Sequence, residues 1–306
     1  MEQTDAEGTS HQEVAAGPAP TSGGAAATRG SAREWALRLG VIGLLLALYA
    51  PTMAWMVSNW AHYEYYQHGF LVPVVSGYLI WRKRDELAAS PVGGHVSGLA
   101  VLFFGILVHA AGTLSNVHFL SAGSLVIVLV GLVLYLWGWA VFRQLAFPLC
   151  FLGFMVPLGV ALVDLFTNPL QRLATVAAGE ALRLGRIPVH LEGTSLQVPG
   201  YLFEVGVPCS GLKAVITLSA LAALAAYLLA GPVWKRLLVF AGAVPVALAA
   251  NAARVAAICL IGKSLGERAA ESFLHELSGL MVFLLGLVGL LALGALLGCD
   301  EMRDDI

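Results

Sequence analysis

Three residues of this sequence bring chemistry into apolar surroundings that make polar groups costly: Cys209 in GVPCSGLKAV, Arg254 in NAARVAAICL and His275 in ESFLHELSG. A thiol, a guanidinium and an imidazole are together the parts needed for acyl transfer by sulfur. They supply a nucleophile, a donor for the developing oxyanion, and an acid or base near neutral pH. Cys209 follows Pro208, which suits the first turn of a helix, where free N–H groups favour a thiolate. Lys213 stands one turn further on and would lower the thiol pKa, or it snorkels to the membrane interface; both can hold together. The other three cysteines, 150, 259 and 299, read as small buried hydrophobes.

Arg254 sits inside an apolar helix, where a guanidinium is expensive unless it faces a polar cavity or a partner, or snorkels from a helix end. Asn251 lies three residues earlier on the same face, so the two form a polar notch. His275 heads a final apolar run, where a solvated or capping histidine is the competing reading. Three further residues are supporting candidates. Glu64 and His68 are four apart, either on one helical face or in a solvated loop. Glu204 precedes Cys209 by five residues and is a candidate to orient Arg254 or Lys213.

The elements that must carry these residues follow from composition. The chain has 306 residues, 58% of them hydrophobic and only 12% charged, and a mean hydropathy of +0.81, well beyond a soluble domain. A run of about 20 apolar residues crosses a bilayer core. Eight such runs are expected, near residues 36–57, 65–81, 96–114, 122–141, 145–165, 212–229, 233–261 and 274–297. Gly69, Pro73 and Gly77 interrupt the second. The net charge of −2 gives no hint of nucleic acid. The scattered cysteines have neither disulfide-framework nor metal spacing, and neither a metal nor another cofactor is expected.

Basic residues orient the chain. Arg29, Arg33 and Arg38, then Arg82 to Arg84, Arg143, and Lys235 with Arg236 fall on one side of an eight-span topology. Both ends are therefore expected in the cytoplasm, with residues 1–33 a disordered tail, 34–298 the transmembrane domain and 299–306 a second tail. Residues 168–207 are expected outside the cytoplasm as a cap. Leu170, Leu173, Ala174, Ala177, Ala181 and Leu184 recur at helical spacing there, and short strands flank Glu192-Gly193-Thr194. The expected fold is an all-α polytopic membrane protein of about eight transmembrane helices, capped by a small extracytoplasmic amphipathic helix and a short β-hairpin. This topology delivers Cys209, Arg254 and His275 from three different helices to one membrane face.

PCSG at 208–211, NAAR at 251–254 and His275 before a last span, in that order, resemble the exosortase/archaeosortase family. YYQHGFLVP at 65–73, FMVPLG at 154–159 and GYLFEVGVPCSGLK at 200–213 resemble further stretches of it. Pro208 stands where the family commonly has alanine, and Lys213 where it has arginine. The resemblance implies a membrane cysteine protease or transpeptidase. Its implied partners are proteins ending in PEP-CTERM-like sorting signals: a short motif, a transmembrane helix and a basic tail. It also implies Cys209 as nucleophile, Arg254 and His275 as its catalytic partners, and a multi-pass protein of the inner (cytoplasmic) membrane with its site facing outward. Two rival readings of the same residues are a transporter or channel with a path lined by Arg254, Lys213 and His275, and a non-catalytic scaffold for polysaccharide export. Polar groups gathered at one face, without inverted repeats, speak against the transporter.

Overall fold

The computed structural model describes residues 32–91, 93–299 and 301–303, with the backbone alone for residues 32–39, 42, 160–161 and 274–276. The described residues fall into two units that divide after Ala47, and the packing around the site lies wholly within the second. Of the expected first tail, residues 1–31 lie outside the described residues, while 32 and 33 open a helix.

The helices are α1 (Ala32–His62), α2 (Leu71–Arg82), α3 (Arg84–Ala89), α4 (Ser97–Leu114), α5 (His118–Leu136), α6 (Gly138–Phe151), α7 (Val160–Leu184), α8 (Leu212–Leu228), α9 (Val233–Leu265), α10 (Glu267–Glu276) and α11 (Ser278–Leu296). Three strands, β1 (His190–Glu192), β2 (Ser195–Val198) and β3 (Tyr201–Glu204), follow α7. Among the described residues, six stretches are long and apolar enough to span a membrane: Ser97–Leu114, His118–Leu136, Gly138–Met155, Val207–Leu228, Val233–Leu265 and Ser278–Leu296. The chain is a multi-pass membrane protein.

Six differs from the expected eight for local reasons. The expected first span falls in α1, part of which has no described side chains. The expected second span divides into a 3-10 turn, Glu64–Phe70, and the 12-residue α2. At about 1.5 Å per residue, α2 covers little more than half a bilayer core. The expected fifth span starts earlier and stops sooner: α6 runs into a 3-10 turn, Leu152–Met155, and the chain leaves helical geometry at Val156 (φ −76, ψ 116). Pro157 explains the stop, because its ring pushes the preceding residue out of the α region.

The broken helix frees carbonyls that need donors, and the end of α1 and the 3-10 turn after it supply them. Trp60 Nε1 donates to the Met155 carbonyl at 2.8 Å, Tyr66 Oη to Leu158 at 2.8 Å and His68 Nε2 to Phe154 at 3.1 Å. Gly69 lets the Trp60 indole lie against the turn, since a Cβ there would meet Trp60 Nε1 at 2.3 Å. Elsewhere α4 and α5 form a tight hairpin, with Gly98, Gly105 and Gly112 seated on Tyr135, Val128 and Ser121 respectively. Small residues are what allow backbones to approach this closely in a bilayer.

The cap is present but is built differently from the expected one. The three strands form an antiparallel meander in the order β1-β2-β3, one strand more than a hairpin, with register His190↔Gln197 and Ser195↔Glu204. Its turns use Gly193 (φ +60) and Gly200 (φ +82). The helix beneath starts at Val160 and buries Ala174, Ala178 and Leu182, while Leu173 and Leu184, on the apolar face expected to lie on the membrane surface, are exposed. Small residues face the sheet because the contact is close: a Cβ on Gly179 would lie 2.8 Å from Leu191 Cδ2. Ala174, Ala178, Leu196, Val198, Phe203 and Val205 pack with Val255 and Ile258 of α9 and Ala270 of α10 into one apolar cluster. Tyr201 lies over Gly262 of α9, and burial pushes its phenol up.

Candidate active site

Leaving β3, the chain passes through Val205 and Gly206 into a 3-10 turn, Val207–Cys209, and only then into α8. Cys209 was expected in the first turn of a helix opened by Pro208; instead Ser210 and Gly211 separate it from Leu212, where α8 begins. Gly211 has φ +88, a left-handed conformation that side chains resist. A second constraint acts at the same position, because a Cβ on Gly211 would approach Asn251 Nδ2 to 2.9 Å.

Two α9 side chains hold this turn. Asn251, fully buried, donates Nδ2 to the Cys209 carbonyl at 2.9 Å. Arg254, 8% exposed, donates from one terminal nitrogen to the Pro208 carbonyl at 2.8 Å. Its guanidinium is also the charged neighbour of the Cys209 thiol. Arg254 therefore turns inward to a partner, not outward to the interface. Arg254 Nε and Asn251 Oδ1 are buried without a hydrogen-bond partner.

Beside this notch lies a cavity of about 410 Å³. Its polar lining comes from His68, Lys213, Thr217, Asn251 and Arg254, with Pro208 and Gly211 of the turn, and its apolar lining comes mostly from α2, α8 and α11. His68 presents a buried Nδ1 with no hydrogen-bond partner, the other ring nitrogen being engaged by Phe154. Cys209 itself is not among the lining residues. Its side chain, 3% exposed, belongs to the apolar cluster under the cap.

The remaining candidates divide. Lys213 is about half exposed and its Nζ lies 3.1 Å from Glu64 Oε2. The carboxylate at Lys213 is thus Glu64, which opens the 3-10 turn after α1, and not Glu204. Glu204 is exposed on β3 and, among the described residues, bonds neither Lys213 nor Arg254. His275 lies on α10 four residues before Gly279, which lines the cavity, but its side chain is outside the described residues. Among the described residues no three His, Cys, Asp or Glu side chains gather as metal ligands.

The Glu64 pairing and the left-handed Gly211 escaped sequence reasoning. Only the Ser-Gly pair after the thiol signalled a break in the helix. What the arrangement offers chemically is a buried sulfur beside a buried cation, at the edge of a membrane cavity with spare donors.

Comparison with known families matches residues 60–292 to the model described as Transmembrane exosortase (Exosortase_EpsH). No curated protein and no solved structure matches the chain.

Proposed function

The chain belongs to the transmembrane exosortase family, and we propose that it is a cysteine endopeptidase or transpeptidase cleaving the C-terminal sorting signals of exported proteins, of the PEP-CTERM kind. In this reading it lies in the cytoplasmic membrane with the cap and Cys209 on the outer side, residues 34–298 forming the catalytic domain and 299–306 a cytoplasmic tail. The basic clusters that orient the chain support that sidedness.

The observation that carries the reading is the buried Arg254 guanidinium, held at the Pro208 carbonyl and beside the Cys209 thiol. A charge kept this deep in an apolar bundle has a function by default. The Cys209 proton passes to His275, the sulfur forms a bond to the signal's carbonyl carbon, and the carbonyl electron pair moves onto oxygen, where Arg254 stabilises it. Collapse breaks the C–N bond, and the amine departs with the proton from His275. Water or an acceptor amine then resolves the thioester. Because the sulfur lies under the cap, it or the cap residues over it must move before attack.

Co-expression with a reporter carrying such a signal tests this. Cys209→Ala should abolish processing while membrane insertion and yield stay normal, and processing that persists in this variant refutes the nucleophile.

A further inference from the structure

In a continuous helix the N–H groups of Leu212 and Lys213 would donate to the carbonyls of Pro208 and Cys209, four residues back. Those carbonyls are occupied instead by Arg254 and Asn251. Gly211, at φ +88, turns the chain away between the 3-10 turn and α8. As at the start of any α-helix, the backbone N–H groups of Gly211, Lys213 and Ala214 have no acceptor among the described residues, and that of Leu212 has only Ser210 Oγ at 3.3 Å.

Gly211, Lys213 and Ala214 all line the 410 Å³ cavity. The same cavity is lined by Arg254, 8% exposed, whose Nε is unpartnered. The start of a 17-residue helix also carries a positive partial charge. Backbone donors and a buried cation beside a mostly apolar cavity form a cradle for one negative oxygen.

We propose that the backbone N–H groups of Gly211, Lys213 and Ala214, together with Arg254, form the oxyanion hole of the reaction. This rests on the reading of Cys209 as nucleophile. When the sulfur bonds to the carbonyl carbon, the carbonyl electron pair moves to oxygen and these donors receive it. When the intermediate collapses, the pair re-forms the C=O bond, the bond to the leaving group breaks, and the donors are released. The Cys209 carbonyl, which Lys213 would engage in a continuous helix, is held by Asn251, so Asn251 positions the hole without touching the oxygen.

Two reagents separate the oxyanion hole from the nucleophile. p-Nitrophenyl acetate acylates a thiol through a tetrahedral oxyanion; iodoacetamide alkylates it by direct displacement, with no oxyanion. Both are applied to the full chain in detergent, carrying Cys150→Ser, with the label assigned to Cys209 by mass spectrometry. Replacing Ala214 by lactic acid swaps one N–H for an ester oxygen, and replacing Gly211 by glycolic acid does the same at the turn. Each should slow acylation at least tenfold while leaving alkylation within about twofold. Unchanged acylation, or equal loss of both reactions, overturns the oxyanion hole alone. Processing of the sorting-signal reporter that persists in Cys209→Ala overturns the nucleophile assignment and the hole with it.

Discussion

Asn251 reaches 42 residues back along the chain to donate its amide to the Cys209 carbonyl at 2.9 Å. This bond, with that of Arg254 to the preceding carbonyl, fixes the turn carrying the thiol to the middle of α9. The sulfur's environment is thus set by α9 and the cap more than by α8, which follows it.

Asn251→Leu removes the donor and leaves the Cys209 carbonyl buried without a partner. A loss of about 1–3 kcal/mol in stability is expected, read as a lower melting temperature in detergent. Asn251→Asp, which keeps the shape but not the donor, should lose stability as well. A melting temperature equal to wild type in both variants would show that the bond contributes nothing.

Arg254→Lys keeps the charge but not the planar fork that serves the Pro208 carbonyl and the thiol together. Processing of a sorting-signal reporter should fall by about 100-fold or more, with insertion unaffected. Near-normal processing would mean that a point charge suffices.

Gly211→Ala forces a side chain into φ +88 and against Asn251. The backbone conformation alone costs roughly 1–2 kcal/mol, and the contact adds to it. Both melting temperature and processing are expected to drop. Gly279→Ala, where a Cβ meets nothing within 4 Å, serves as the matched control and should be mild.

Lys213 and Glu64 form an exposed pair at 3.1 Å. A double-mutant cycle with Lys213→Met and Glu64→Gln should give a coupling energy below about 1 kcal/mol, with processing largely retained in each single variant. A collapse of processing in Lys213→Met alone would restore the ammonium as an activator of the thiol.

Much of the architecture was legible along the chain because a bilayer imposes a length and an apolarity that each segment must meet alone. Ser97–Leu114, Val233–Leu265 and Ser278–Leu296 are readable in this way. Reading failed where a local break was compensated from a distance. The stop at Val156 is written in Pro157, but the donors that make the stop tolerable, Trp60, Tyr66 and His68, lie some 90 residues away. In the cap, helical spacing identified a helix with an apolar leucine face, but not the second face of small residues that the sheet covers. Alanine and glycine won the buried side because only they let the sheet come close, and outward leucines carry little penalty beside lipid.

By itself the sequence determined that this is a membrane bundle with a capped end, and it singled out Cys209, Arg254 and Asn251, since a polar group in an apolar run is conspicuous without any coordinates. Only the tertiary structure decided that Arg254 and Asn251 grip the two carbonyls around the thiol, that Lys213 belongs to Glu64, and that the sulfur lies under the cap while Gly211, Lys213 and Ala214 line the cavity. Hydrogen bonds and packing between segments depend on angle and distance, and neither is encoded in the spacing of residues along a single helix.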